Sequence, residues 1–372
     1  MTMLLRIPFL LFGRTILPKE LTDPQRILMT HFGSTADIVR TLPILVALRH
    51  RFPYADIAWL ISENAAPLLL DHWAVNRLII VHYNWCNHLS EVRRVRKRLQ
   101  SFHPQVTIDP QNTFGSSLAT WLSGAKYRIG FGEKRSCPLH NIRVVAEETH
   151  RIERNRHLLE PFGIVGSSID FDMPECEQDH LVAQHLLHRA GLHGNFALLH
   201  LSADIPLARW REERFGAVAK YLLEQWNLPS LITWSGGDES SRAEAAVHAA
   251  GGAAYRVPWM PTLAERKSLS TLATLFVGSD TAELQIAAAV GTKCVGLFGP
   301  SLALENSPFG RDHRMIQAPY RRSRKRRKHS SEWMDAISPE MVCAKCDEVL
   351  AEILQPTVAV PLPIATPHKR AA

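Results

Sequence analysis

Few residues in this 372-residue chain combine the type and spacing that chemistry requires. The most informative stretch runs from Phe276 to Pro300, FVGSDTAELQIAAAVGTKCVGLFGP. An apolar run ends at Ser279-Asp280, a helical pattern follows from Thr281 to Val290, and a second apolar run, Cys294 to Phe298, closes on Gly299-Pro300. That pattern is strand, helix, strand, with hydroxyl and carboxylate groups at the first strand's carboxyl end, where open α/β sheets take ligands. Thr281 falls in the first helical turn, whose unpaired N–H groups and dipole suit an anion such as a diphosphate. The alternative is that Asp280 only caps the helix. Asp37 occupies a comparable place after the loop 33–36, and helix capping is sufficient to account for it.

Two other clusters carry less. Cys343 and Cys346 form a C-x-x-C inside a helical pattern with no second pair and no nearby histidines, so they read as helix neighbours rather than zinc ligands. Arg321, Arg322, Arg324, Lys325, Arg326, Arg327 and Lys328 form a basic run. The net charge of +7 belongs to these seven cations, because the other 36 Lys and Arg balance 36 Asp and Glu. The run is either a solvated loop or a segment for an anionic membrane surface or phosphorylated glycolipid. No aromatic residues are interleaved with it, so no nucleic-acid partner is expected.

The elements that position these groups alternate. Strand patterns at 26–32, 56–61, 77–81, 105–109 and 127–131 are separated by helical patterns at 37–51, 65–71, 90–101 and 114–123. After a blurred region, 132–172, the alternation resumes with strands at 196–201, 230–234, 254–257, 275–278 and 294–298. Helices fit at 178–190, 211–225, 239–249, 262–273 and 338–354. Two successive α/β halves predict two parallel sheets wrapped by helices, with a cleft between their carboxyl ends. Neither half contains G-x-G-x-x-G or G-x-x-x-x-G-K-S/T, which argues against dinucleotide oxidoreductases and P-loop hydrolases. A hydrophobic content of 46% with 21% charged residues suits a globular protein, and no apolar run approaches the roughly 20 residues of a membrane-spanning helix. Six scattered cysteines fit a reducing compartment. Residues 1–22 read as an apolar leader that is peripheral or disordered rather than a cleaved signal, and 355–372 as a disordered tail.

With these segments placed, the chain resembles glycosyltransferase family 9, the ADP-heptose:lipopolysaccharide heptosyltransferases. The passages that carry the likeness are HFGSTADIVRTLPILVALRHRFPYADIAWLI, ITWSGGDES and the Phe276–Pro300 stretch. The resemblance implies two Rossmann-like domains facing across a cleft, the GT-B architecture, with an acceptor domain at 23–175 and a donor domain at 176–354 that includes the basic loop 319–331. It implies an inverting glycosyltransferase that needs no cofactor or metal and moves a sugar from a nucleotide-diphosphate donor, ADP-heptose by family default, to a cell-envelope glycolipid. The scattered cysteines point to a cytoplasmic protein, and the apolar leader with the basic run suggests one that is peripheral on the inner face of the cytoplasmic membrane. The family's catalytic base corresponds to Asp37, in Gly33-Ser34-Thr35-Ala36-Asp37. Its donor-binding groups correspond to Ser202, Arg209, Asp238, Glu239, Asp280, Thr281 and Gln285, and the basic run would face acceptor or membrane. Four signature positions differ: Ala36 replaces Gly, Ala208 replaces the phosphate-binding Lys, Ala282 replaces Gly, and Gln285 replaces His. Glu283 adds a negative charge in the first helical turn, favourable for the dipole and unfavourable for a diphosphate. The other reading of these departures is a relative that binds nucleotide sugar or glycolipid without transfer.

Overall fold

The structure, a computed structural model, describes residues 19–353 except 71, 133–137, 237–238 and 320–331. The leader up to residue 18, Asp238, the run Arg321–Lys328 and the tail 355–372 lie outside the described residues.

The first sheet is built from α1 (Lys19–Thr22), β1 (Arg26–Thr30), α2 (Thr35–Val39), α3 (Leu42–Arg51), β2 (Asp56–Ser62), β3 (Arg77–Val81), α4 (Leu89–Phe102), β4 (Val106–Asp109), α5 (Phe114–Leu122), β5 (Tyr127–Phe131), β6 (Ile142–Val144) and α6 (Arg151–Arg156). The second comprises α7 (Glu177–Arg189), β7 (Ala197–His200), α8 (Glu212–Trp226), β8 (Ser230–Thr233), α9 (Ser240–Ala249), β9 (Ala254–Arg256), α10 (Leu263–Leu272), β10 (Leu275–Ser279), α11 (Ala282–Ala289), β11 (Lys293–Phe298), α12 (Ala303–Asn306), β12 (Arg314–Gln317), α13 (Glu332–Asp335) and α14 (Pro339–Ile353). The strand orders are β3-β2-β1-β4-β5-β6 and β12-β11-β10-β7-β8-β9, all parallel, and the two sheets share one topology. Each order reverses once, between β1 and β4 and between β7 and β10. Those reversals open the crevices in which α/β sheets take ligands. The loop ahead of Asp37 leaves the first and Asp280 leaves the second.

Three differences from the sequence expectation have local causes. The helix expected over 37–51 is two helices, α2 and α3, broken at Arg40–Thr41. Pro43 sits in the first turn of α3 and has no N–H to bond the Val39 carbonyl. The helix expected at 65–71 is a single 3-10 turn, Ala66–Leu68, with Pro67 in it. Short edge strands β6 and β12, with three and four residues, were too brief to show a period in the sequence.

Helices cover both faces of the first sheet. Ile27, Met29, Ile57, Trp59 and Ile61 pack with α2 and α3 on one face, in a cluster that also contains Ile286 of α11. Leu28, Ala58, Leu60, Ile79 and Val81 face the other way and pack with Val95, Leu99 and Phe102 of α4 and Ala119 of α5. The odd and even residues of each strand divide cleanly, as a period of two requires. Cys343 and Cys346 lie within the second core, where burial pushes the Cys343 thiol up to about 11 and Cys346 well above its ordinary value. Asp347 anchors their helix by accepting from Tyr221 Oη (2.7 Å) and Trp226 Nε1 (2.8 Å). No helix among the described residues is long and apolar enough to cross a membrane.

Helices α8 and α9 meet where Gly216 lacks a side chain. A Cβ there would lie 2.6 Å from Ala249 Cβ and 2.8 Å from the Ala246 carbonyl oxygen. Gly216→Ala should therefore lower stability by about 1–2 kcal/mol in urea unfolding, the overpacking cost exceeding the gain in helix propensity of about 1 kcal/mol.

Candidate active site

Asp37 stands in the first turn of α2, but the helix cap is Ser34. The Asp37 N–H donates to Ser34 Oγ at 3.2 Å, and Ser34 Oγ donates back to Asp37 Oδ2 at 2.8 Å. With capping done by a neighbour, the carboxylate is left for other partners. Arg40 Nη1 and Arg151 Nη1 each donate to Asp37 Oδ1 at 3.2 Å.

Behind Asp37 lies His31, buried at the end of β1. Thr41 Oγ1 spends its hydrogen on the Asp37 carbonyl (2.8 Å), so it must accept at His31 Nδ1, 2.9 Å away. Nδ1 therefore carries the ring hydrogen and Nε2 presents a lone pair. Gly33 allows this approach, since a Cβ there would lie 3.0 Å from His31 Nε2 and 3.6 Å from Asp37 Oδ2. Burial pushes His31 down to about 4, so its ring is neutral near pH 7. Burial alone would raise Asp37, but His31, Arg40, Arg151 and the Ser34 hydroxyl together hold it below the usual carboxylate range. With His31 neutral, the two arginines supply the positive charge at neutral pH.

Arg40 joins the two sheets. Its side chain is 5% exposed, and Nη2 donates to Asp280 Oδ1 at 3.1 Å and to the Asn306 carbonyl at 3.2 Å. Asp280 does not cap α11, whose N-cap is Thr281, and Thr281 makes no side-chain capping bond. Burial raises Asp280 above the ordinary value, with Arg40, Ser301 and Arg151 reversing only part of that. Gln285 is buried and donates to the same Asn306 carbonyl at 2.8 Å. His150 Nε2 donates to the adjacent Ser307 carbonyl at 2.9 Å, which adds a second tie between the halves.

Glu283 is paired rather than bare. Arg266 Nε lies 3.1 Å from Oε1 and His200 Nε2 3.4 Å from Oε2. Burial would raise this carboxyl, yet His200 and Arg266 lower it on balance. His200 is itself pushed down by burial, so Arg266 is the cation that neutralises Glu283 near pH 7. Asp204 keeps solvent contact at the mouth of the same cleft, where partial burial and the Glu283, Asp280 and Asp37 carboxylates raise it against the pull of Arg40.

A third group lies at the carboxyl ends of β7 and β8. Ser202 Oγ donates to Glu239 Oε2 and accepts the Ser235 N–H at 2.8 Å. Glu239 occupies the N-cap position of α9 without capping it, and its other oxygen receives Arg242 Nη1 at 2.9 Å. Arg209 Nη2 stands 3.8 Å from that oxygen on a side chain 44% exposed. Ala208, at the expected lysine position, is buried, and its carbonyl accepts from Ser279 Oγ at 3.1 Å.

The structure thus brings Asp37 and Asp280 to one guanidinium, and gathers Ser202, Arg209 and Glu239 at the ends of the neighbouring strands β7 and β8. Gln285 is turned to a backbone carbonyl. Arg40, Arg151, His31, Arg266 and Asp204 were not singled out in the sequence. Only Arg40 carried a local signal, three residues after Asp37 on the same helical face. Among the described residues no cluster of three or more His, Cys, Asp or Glu is placed to hold a metal ion.

The family model described as glycosyltransferase family 9 (heptosyltransferase) matches residues 92–334, which take in the whole second sheet. Lipopolysaccharide heptosyltransferase 1 of Escherichia coli is 24% identical over 315 residues, covering 79% of this chain and 94% of the relative. Lipopolysaccharide heptosyltransferase 3 of the same organism is 24% identical, covering 71% and 79%. Among solved structures, a family 9 glycosyltransferase from Veillonella parvula superposes with a TM-score of 0.73 at 19% identity, over 89% of this chain and 98% of that one. Escherichia coli heptosyltransferase WaaC with ADP-2-deoxy-2-fluoro heptose gives 0.69 at 22%, over 87% and 99%. The fold shared with these structures is GT-B.

His31 makes stability depend on pH in a defined direction. Its folded value of about 4 lies below the ordinary 6.5, so its contribution is complete above pH 6.5 and is lost as pH falls toward 4, where only the unfolded chain takes up the proton. Between pH 7 and 4.5 the cost should be roughly 2–3 kcal/mol. Urea unfolding at both values should show His31→Gln with a correspondingly shallower fall.

Proposed function

The chain belongs to glycosyltransferase family 9, and from that premise we propose that it transfers heptose from an ADP-linked donor to a lipopolysaccharide-type acceptor with inversion at the anomeric carbon. On this reading residues 23–175 receive the acceptor and 176–354 hold the donor. The observation that carries it is the meeting of Asp37, from the first sheet, with Asp280, from the second, on Arg40. A carboxylate from the acceptor half and a helix start from the donor half then share one small volume.

The acceptor oxygen attacks the anomeric carbon, the bond from that carbon to the diphosphate oxygen breaks, and the hydroxyl proton passes to Asp37. Because Asp37 is held below its usual range, it is ionised throughout neutral pH. It takes the proton as the attacking oxygen becomes positively charged, so a weak base is adequate. Ser34 fixes one carboxylate oxygen and Arg40 and Arg151 fix the other, which orients the base before substrate arrives. The departing diphosphate needs charge stabilisation more than a proton. The N-terminus of α11 at Thr281, the Arg40 guanidinium and Arg209 are the groups assigned to it. Glu283 does not oppose the diphosphate as a free anion, since Arg266 neutralises it. Glu239, held by Ser202 and Arg242, is assigned to the ribose hydroxyls.

Asp37→Asn should reduce kcat by roughly 10²- to 10⁴-fold while calorimetric binding of the nucleotide sugar is retained. Full turnover in this variant, or product with retained anomeric configuration by NMR, would remove the mechanism. Arg40→Lys should not restore an Arg40→Ala loss, because a single ammonium cannot reach Asp37, Asp280 and the Asn306 carbonyl together. Titration with ADP, UDP and GDP sugars identifies the donor nucleotide, and ADP-heptose is expected to bind.

A further inference from the structure

The α4–α5 face of the first sheet has a composition that catalysis does not use. Helix α4, LSEVRRVRKRLQSF, carries five cations against one carboxylate. Val95, Leu99 and Phe102 are its buried side, packed on the sheet. Arg94 is paired with Glu91, and Arg98 Nη1 donates to the Ile80 carbonyl at 2.7 Å. Arg93, Arg96 and Lys97 have no such partner among the described residues, and with Gln100, Ser101 and His103 they line one shallow surface depression.

Beside them α5 exposes aromatic rings. Phe114 is 70% and Trp121 52% exposed, and their separation of two helical turns places both on one side of α5. The exposed apolar groups extend toward the loop ahead of Asp37. Tyr83 (62%) and Leu89 (65%) flank the 3-10 turn Trp85–Asn87. Cys86 of that turn lies 3.5 Å from a Cβ built on Gly115, next to Phe114. The same Cβ would be 3.1 Å from Phe32, in the loop that leads to Asp37, and Phe32 meets Trp85 edge to face at 6.1 Å. Tyr83, Leu89 and Phe114 thus stand near the loop to Asp37 through the buried Phe32 and Trp85, while the cation depression extends along α4 to His103, whose carbonyl accepts from Arg26 at the start of β1. This face is opposite the one that packs on α11, so contact between the halves leaves it open.

We propose that the α4–α5 face docks the protein on an anionic lipid bilayer, with Arg93, Arg96 and Lys97 against the headgroups and Tyr83, Phe114 and Trp121 in the interfacial layer. Unpaired cations complement the negative surface potential, and partly polar aromatic rings settle at the boundary of hydrocarbon and water. Docking by this face turns Phe32, where the loop to Asp37 begins, toward the lipid side of the sheet, while Asp37 itself stays on the α2 side at the carboxyl edge, from which a glycolipid's sugar portion would have to be reached. That orientation rests on the acceptor reading above. The docking itself does not, and it involves neither the apolar leader nor the Arg321–Lys328 run.

The test uses the full chain, without donor or acceptor, in flotation with phosphatidylglycerol-containing vesicles and with pure phosphatidylcholine vesicles. Binding to the anionic vesicles, weakened by salt, is expected, and R93A/R96A/K97A together should lower partition by about a hundred-fold. Phe114→Ser with Trp121→Ser should lower it independently, and circular dichroism melts verify that each variant is folded. Turnover of a short-chain, water-soluble acceptor should be unchanged in the triple variant. Wild-type chain that ignores anionic vesicles, or a triple variant that partitions like wild type, overturns the proposal, the latter leaving other segments as the anchor. Loss of soluble turnover with vesicle binding intact also overturns it, by placing the cations in acceptor recognition. A wild type that binds vesicles but turns over no acceptor counts against the transferase reading and leaves the docking standing.

Discussion

One buried guanidinium constrains this molecule more than any other group. Arg40 cannot lie 5% exposed without partners for its charge, because an uncompensated buried cation costs several kcal/mol. Its partners come from both halves: Asp37 one turn away, and Asp280 and the Asn306 carbonyl more than 200 residues further along the chain. The two sheets must therefore meet at this point. The rest of the junction is arranged to suit. Helix α2 is short and breaks at Arg40, freeing that side chain to leave the helix axis, while Ile286 of α11 enters the first sheet's core. Gln285 and Arg40 converge on a single carbonyl, so the polar and apolar contacts of α11 reinforce each other.

Topology explains why the junction is also the candidate site. Both sheets reverse order once, and the loops leaving the central strands cannot be covered by the flanking helices. The exposed ends of β1, β7 and β10 carry Asp37, Ser202 and Asp280, with Glu239 reached from β8. Four carboxylates, Asp37, Asp204, Asp280 and Glu283, surround this space and would repel one another if they stood alone. Arg40 bridges Asp37 and Asp280, Arg151 adds to Asp37, and Arg266 takes Glu283, while Asp204 stays exposed. That partition leaves Asp37 lowered and Asp204 and Asp280 raised, a spread of proton affinities produced by position alone.

The sequence disclosed what is local. Buried parallel strands such as Ile57–Ile61 read as apolar runs, and the strand ends marked Asp37 and Asp280 as polar groups at carboxyl edges. The apolar spacing from Ile38 to Leu48 runs straight through Pro43, so it shows one helix where the proline makes two. Capping stands as an open alternative for Asp37 and Asp280 in the sequence because Ser34 and Asp37, or Asp280 and Thr281, are equally good caps by type, and only geometry shows that the carboxylates are committed to Arg40. Arg151 lay in a region with no period, and Arg266 belongs to a helix whose sequence gives no sign of Glu283. Long-range charge pairing has no periodic signature, so this part of the site could not be read from sequence.

The departures from the family pattern at 208 and 285 make sense as a redistribution of charge and hydrogen bonding. An alanine at 208 lacks the cation of the family pattern, and the buried Ala208 backbone is tied to Ser279 at the end of β10. Arg209, one residue on, extends its guanidinium from a half-exposed stem, close enough to sense Glu239 and free enough to turn toward a phosphate. A glutamine at 285 provides a permanent amide donor for Asn306, a bond a histidine could make only in the tautomer with the matching nitrogen protonated. Glu283 would be costly beside a diphosphate were it free, yet Arg266 has already claimed it. At 208 the adjacent Arg209 supplies a cation and at 285 the glutamine supplies a donor, nothing in the structure explains the alanines at 36 and 282, and Asp37 with its two arginines is untouched. Ser34, Arg40 and Arg151 hold the Asp37 carboxylate in one orientation, which suits the base of the proposed transfer, and the same contacts satisfy the buried Arg40 charge, so one arrangement serves both the junction and the site.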